Sequence, residues 1–252
     1  MRRFLKQFLY GLFCLSIATL LAGGVYYFYF TQEPSCFDNI KNQEETGVDC
    51  GGSCIDCELL TIALQIDEPQ VFSSGNLKST ILGRVSNHSL NYGLNSFEYE
   101  FQIFNSLGAL LSKSQGESYI LPGEERYLIV PALDIDKRDI GKVVLNIPRE
   151  NWEPKSNLPD FTLKLQDVKT APSARTVQVS GNLANDSSEN FLSVTLVGIV
   201  FDKKDTALSV SSTKVDDIAA FSETPFAIFF PELKSVAEVN LGATKVFYEV
   251  KR

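Results

Sequence analysis

Four cysteines, Cys36, Cys50, Cys54 and Cys57, fall within a stretch of 22 residues, and none follows them. An even, tight cluster of this kind predicts two disulfides that staple a module too small to build its own core. Three pairings satisfy the spacing, and the sequence does not choose between them. Zinc is the alternative use of the same sulfurs. Cys50 with Cys54-x-x-Cys57 could ligate it, but zinc modules usually pair two short knuckles, and Cys36 stands apart. A redox Cys-x-x-Cys would need a βαβ pattern around it, which is missing. Between the cysteines, Asp38, Asn42, Glu45 and Asp49 offer hard oxygens suited to calcium, although their spacing is not that of an EF-hand loop. The same residues also suit the turns of a disulfide knot.

Elsewhere the residues for chemistry are thin. His88 is the one histidine, so a histidine-rich metal site is excluded, and no glycine-flanked serine elbow or isolated exposed cysteine stands ready to complete a nucleophilic arrangement with it. Asp216-Asp217 and Glu124-Glu125 are adjacent carboxylates of the kind that acidic surface loops carry without doing acid–base work. No catalytic residue and no cofactor is expected. Asn87-His-Ser89 and Asn185-Asp-Ser187 fit the glycosylation sequon and read equally as turns. The net charge is −8, and setting aside Arg2, Arg3 and Lys6 leaves −8 − 3 = −11 for the rest, a balance that repels nucleic acid.

The element that must place these groups comes first in the chain. Phe8 to Phe30 carries no charge, and 23 helical residues rise about 34 Å, enough to cross a hydrocarbon core of about 30 Å. Arg2, Arg3 and Lys6 precede this run while Gln32 and Glu33 follow it, so the positive-inside bias puts the N-terminus in the cytoplasm and the remainder outside. Tyr26, Tyr27 and Tyr29 would lie at the outer interface. Ala22-Gly23-Gly24 would suit cleavage of a signal peptide, but the apolar run continues well past it. Cys14 lies within the span as a small apolar filler.

Two later stretches repeat one order of landmarks about 98 residues apart. Leu64-Gln65 aligns with Leu165-Gln166, Gly83-Arg-Val-Ser-Asn87 with Gly181-Asn-Leu-Ala-Asn185, and Phe104-Asn105 with Phe201-Asp202; Pro131 aligns with Pro231, and the run from Gly141 with that from Gly242. Asn95 to Asn105 alternates Phe97, Tyr99, Phe101 and Ile103 with Glu98, Glu100 and Gln102, the pattern of a strand with one buried and one wet face. Its equivalent, Phe191 to Asp202, is apolar on both faces, as expected of a central strand or one shielded by its neighbour domain. Further strands are expected at 59–66, 77–85, 126–130, 142–147, 161–165, 176–183, 226–230 and 245–250. The expected fold is therefore all-β: two tandem antiparallel β-sandwich, immunoglobulin-like domains preceded by one transmembrane helix and a small disulfide-rich segment. The divisions are a basic N-terminus (1–7), transmembrane helix (8–30), cysteine-rich segment (31–58), first sandwich (59–149), linker (150–159) and second sandwich (160–252). Trp152 is read as part of the linker, leaving both cores to Phe, Leu, Ile and Val.

The spelling from Cys36 through Glu45-Thr46-Gly47-Val48-Asp49-Cys50-Gly51-Gly52-Ser53-Cys54 to Cys57 resembles a short cysteine-rich motif of exported surface proteins, often set beside a membrane anchor. Where that motif has glycine after its first aspartate this chain has Asn39, which also tolerates left-handed backbone. Gly83-x-Val85-x-Asn87, then Phe101-x-Ile103-Phe104-Asn105 with a turn at Gly108, resembles the FxLYD domain, an extracytoplasmic bacterial sandwich related to the LEA14-like fold. The second copy keeps Gly181, Asn185, Phe201 and Asp202 but has Gly198 where the family has Phe. The resemblance implies a structural motif without an active site, in a bacterial envelope protein.

The expectation is thus a non-enzymatic, single-pass protein of the cell membrane, touching the lipid bilayer through residues 8–30, whose sandwiches bind another envelope protein or ligand. Its rival is a calcium- or zinc-binding surface protein with the metal in the Cys36–Cys57 segment.

Overall fold

A computed structural model describes residues 2–30, 35–42, 44–75, 77–159 and 161–251. The chain divides into two compact units, Met1–Ile62 and Ala63–Arg252. Gln32 and Glu33, expected just outside the membrane, lie beyond the described residues.

In the first unit, α1 runs from Arg2 to Phe30. Within it Arg3–Tyr27 forms an apolar stretch with mean hydropathy 2.0 and no buried residue. The helix starts six residues ahead of the expected span, because Arg, Phe, Leu, Lys and Gln all tolerate helix and nothing in this sequence stops it from continuing. Its polar side chains bond back into the helix. Ser16 donates to the Phe13 carbonyl at 2.8 Å and Thr19 to that of Leu15 at 3.0 Å, leaving a surface compatible with lipid. A short 3-10 turn over Cys57–Leu60, capped by Asp56, replaces the strand expected from residue 59.

The second unit is all-β. Its first half holds β1 (Gln65–Ile66), β2 (Gln70–Gly75), β3 (Lys78–Ser86), β4 (Tyr92–Phe104), β5 (Leu110–Ile120), β6 (Glu125–Leu133), β7 (Lys142–Asn146) and β8 (Trp152–Pro154). In one sheet β3 lies between β6 and the pair β1/β2; in the other, β4 lies between β5 and the pair β7/β8, with antiparallel neighbours throughout. The second half holds β9 (Leu163–Pro172), β10 (Val177–Asn185), β11 (Phe191–Phe201), β12 (Ala207–Ile218), β13 (Ser222–Phe229) and β14 (Lys245–Lys251). These make the sheets β9-β10-β13 and β12-β11-β14, so the second half reproduces the strand order of the first.

Alternation explains each core. Phe97, Phe101 and Ile103 of β4 turn inward onto Ile81, Val85, Leu128 and Leu145. Gly83 is required there: a Cβ would lie 2.9 Å from the Phe101 ring and 2.8 Å from Leu145. Gly181 faces Phe226 with the same clearance. The strand pairings place Gln65 opposite Ser86 and Lys164 opposite Ala184. Leu64 therefore corresponds to Leu163, two residues before the sequence alignment with Leu165, because strand pairing rather than residue identity sets the register.

The doubly apolar β11 is both central and shielded. One face feeds the second core; on the other, Val197 and Ile199 meet Phe72, Leu82 and Tyr127 of the first sandwich. Tyr127 stacks on Phe247 with centroids 4.1 Å apart. The two sandwiches thus share a third apolar layer, and the segment between them is ordered against the first. Trp152 pairs with Leu94 and packs on the first core, correcting its assignment to a bare linker. The reason is tertiary: Pro154 and its polar neighbours look like a connection, but β7 pairs with β4 only from Glu100 to Phe104, and the edge from Tyr92 to Leu94 is taken up by β8, which lays Trp152 on the first core.

Candidate functional site

The cysteine segment is closed. Cys36 pairs with Cys54 and Cys50 with Cys57, so its four sulfurs are not free to act as thiolate ligands. The motif residues around them have defined roles. Gly51 and Gly52 have φ of 83° and 61°, and a Cβ on Gly52 would meet the Glu44 carbonyl at 2.5 Å. A Cβ on Gly47 would lie 2.6 Å from Cys50 Sγ. Asn39, standing for the motif's glycine, has φ 57°.

The oxygens considered for calcium are engaged locally. Asp49 accepts from the amides of Asp38 and Asn39 at 3.0 Å. Asp38 accepts from the Ile40 amide at 2.9 Å and from the Asn42 side chain at 2.8 Å, and these bonds, that of Ile40 foremost, hold its carboxyl below the usual range. Buried Glu45 accepts from the Asn42 amide at 3.3 Å and lies 3.3 Å from Cys54 Sγ. Among the described residues, Cys36, Glu45 and Cys54 are the one gathered set of three metal-type ligands, and its two sulfurs are bonded to each other.

The paired sequon asparagines are buried and fully bonded. Asn87, 2% exposed, donates to the carbonyls of Tyr92 at 2.8 Å and Leu121 at 3.0 Å, and accepts from the Ser89 amide at 3.0 Å. Asn185, 1% exposed, does the same with Glu189, Ala219 and Ser187 at 2.7, 2.8 and 3.0 Å. Each amide nitrogen has both hydrogens engaged, so in the folded chain neither side chain is presented for glycosylation. Asn105 and Asp202 form the second matched pair, each accepting two backbone amides of the turn that follows. His88 bonds Gln65 at 2.7 Å on the surface. Asp216 pairs with Lys214 at 2.7 Å, and Glu124 with Arg126 at 2.6 Å.

Two groupings depend on the register and escape linear reading. At the junction of the sandwiches, Arg126 is 4% exposed, lies 4.0 Å over the Tyr119 ring and donates to the Tyr248 carbonyl at 2.9 Å; the Tyr119 hydroxyl accepts from the Val250 amide at 3.4 Å. A cation and an aromatic of the first sandwich thereby engage backbone groups of β14 in the second. The other grouping is the wet face of β4 and β5, where Glu98 lies opposite Glu117 and Glu100 opposite Gln115 and Asn146. It borders a cleft of about 640 Å³. Glu100 accepts from Gln102 at 2.6 Å, Lys113 at 3.0 Å and Gln115 at 2.7 Å, which pull its pKa down to about 2. Tyr99 beside it is pushed up to about 12, by burial first and by Glu249 second. The alternation of glutamates along β4 signals the wet face; the partners from β5 and β7 come only with the pairing.

No family model matches this sequence, and no curated protein does. Among solved structures, the chain is similar to red sea bream transglutaminase at 8% identity and a TM-score of 0.23, covering 69% of this chain and 27% of that one. It is similar to a beta-glucuronidase from glycoside hydrolase family 2 at 14% identity and a TM-score of 0.22, covering 82% and 26%. The chain spans about a quarter of the length of either, and likeness at this level carries no inference about activity.

Proposed function

We propose that this chain is a non-enzymatic, single-pass protein of the cell envelope, N-terminus in the cytoplasm, whose joined sandwiches are displayed outside to bind another envelope protein or ligand. The observation that carries the reading is the succession of an apolar helix, from Arg2 to Phe30, and a segment closed by two disulfides. A membrane-length helix with cations at its start favours this orientation, and disulfides persist in the oxidising compartment that the orientation supplies. The engagement of His88 and the paired carboxylates in local bonds and ion pairs favours display over catalysis. We also read the sandwiches as FxLYD-like: Phe101 over Gly83, and Asn105 closing its turn, give the motif residues structural roles.

Protease protection on sealed, right-side-out vesicles tests the topology. Digestion of the sandwiches from outside, with the intact N-terminal mass retained in membrane-bound protein before digestion, is expected; a mature protein beginning after Gly24 would overturn the anchor. Affinity capture from the cell's own membranes with the fragment Glu58–Arg252 tests the partner. Recovery of cytosolic complexes alone would overturn display.

A further inference from the structure

Most sheet edges of the two sandwiches are protected against pairing with another strand, by the devices that natural sheets use. The β1/β2 edge is split by Pro69. β6 carries Pro131 and a left-handed Ala132 with φ 49°. β7 and β8 are short and separated by Pro148. β9 bends at Asp167, φ 50°, and ends at Pro172, while β13 has Pro225 in its middle. β14 has its Tyr248 carbonyl and Val250 amide engaged by Arg126 and Tyr119, and β12 packs against β2 and β13.

β5 lacks the backbone devices of the other edges: its charges, Lys113 and Glu117, stand on one face, and register shifts lie only at the two ends of its pairing with β4. It is eleven residues long, without proline and without a positive φ. Its pairing with β4 is unbroken from Ser112 to Ser118, and among the described residues no strand pairs with it on the other side. That regular stretch reads Ser112-Lys113-Ser114-Gln115-Gly116-Glu117-Ser118. Turned antiparallel on itself about Gln115, it places Lys113 opposite Glu117 twice, Ser112 opposite Ser118 twice, and the small Ser114 opposite Gly116. Opposite charges facing across an antiparallel pair are favourable, and like charges are not. Both charged side chains are on the wet face; the Lys113 side chain, 48% exposed, also bonds Glu100 of its own sheet at 3.0 Å, and Glu117 accepts from the Ser96 hydroxyl, so each would be shared with the second copy.

We propose that β5 is a self-association edge: two copies of this chain pair through antiparallel β5 strands on a two-fold axis at Gln115, joining their β5-β4-β7 sheets into one. A two-fold contact uses the same patch on both partners, which a strand complementary to its own reverse provides. One strand pair buries less than the roughly 1,200 Å² of a stable interface, so the contact depends on high local concentration. Under the proposed function the anchor supplies it by confining copies to one membrane.

Oxidative cross-linking in lipid vesicles tests this, using the full chain with Cys14→Ser so that the added cysteine is the one free thiol. Retention after alkaline carbonate extraction is read first, so failure of the anchor is separated from failure of the pairing. Residues facing each other across antiparallel strands have Cα atoms about 4.5–5.5 Å apart, within disulfide range. Gln115→Cys on the axis is expected to give a covalent dimer under mild oxidant, and Ser112→Cys, which would face Ser118, is expected to give at least roughly tenfold less. In the Gln115→Cys background, Lys113→Glu should lower the dimer yield on the order of tenfold by setting like charges opposed at two positions, and adding Glu117→Lys should restore it. Should Gln115→Cys lose the native urea midpoint, mixing Lys113→Cys with Glu117→Cys molecules reads the same register. Equal cross-linking at Gln115 and Ser112, or none at any β5 position in folded, membrane-retained protein, overturns the proposal.

Discussion

Asn87→Ala tests most directly how the sandwiches are held, because the loss can be worked out from contacts that recur at Asn185. The substitution deletes three hydrogen bonds, to the Tyr92 and Leu121 carbonyls and from the Ser89 amide. A net contribution of about 1 kcal/mol each gives about 3 kcal/mol. Because Asn87 is only 2% exposed, water replaces those partners poorly, and one orphaned carbonyl would add about 1 kcal/mol. The expected loss is therefore about 4 kcal/mol. For a body of this size, that lowers the melting temperature by roughly 8–16 °C. The assay is urea and thermal unfolding of Glu58–Arg252, with the m-value checked for constancy. Asn185→Ala should cost at least as much, since its three matching bonds are joined by a fourth from the Ser187 hydroxyl at 2.7 Å. A loss under about 1 kcal/mol in both variants would refute the view that these asparagines tie the loops together. It would return them to the status of surface turns.

Gly83→Ala and Gly181→Ala should each destabilise by about 1–3 kcal/mol through overpacking against Phe101 and Phe226, measured by the same unfolding curves; neutral variants would deny the close approach. Arg126→Met should cost about 2–4 kcal/mol by removing the bond to the Tyr248 carbonyl, the contact with Tyr119 and the ion pair with Glu124, and a separate transition for each sandwich would mark their uncoupling. The bonds from Gln102, Lys113 and Gln115 pull the Glu100 carboxyl from its ordinary 4.5 down to about 2, so its contribution is complete above about 4.5 and is lost as pH falls through about 2. Glu100→Gln should flatten the stability profile in that window, and a carboxyl resonance titrating near 4.5 in the wild type would contradict the bonding seen. Partial reduction with differential alkylation should release Cys36 with Cys54 and Cys50 with Cys57; any crossed pair would contradict the cysteine fold.

Features that depend on local order along the chain were open to direct reading. The uncharged run before Phe30, the crowding of four cysteines and the alternation along β4 each act through neighbours one to four residues away, so the helix, the disulfide-rich segment and the all-β class follow from them. The repeat was equally legible: Asn87 and Asn185 close equivalent loops, as do Asn105 and Asp202. What could not be read was whatever depends on which strand lies beside which. Nothing near Trp152 in the chain signals that it pairs with Leu94 and packs on the first core. Residue identity matches Leu64 with Leu165, whereas the strand pairing matches it with Leu163. Arg126 gave no linear sign of burial, since the Tyr119 ring and the Tyr248 carbonyl reach it only when two sandwiches close on a shared apolar layer. The cysteine pairing is of the same kind, because three connectivities satisfy the spacing and only the folded path of Gly47, Gly51 and Gly52 brings one of them within bonding distance. Periodicity and composition determine which faces seek burial; the registers in which those faces meet are set by the whole chain at once.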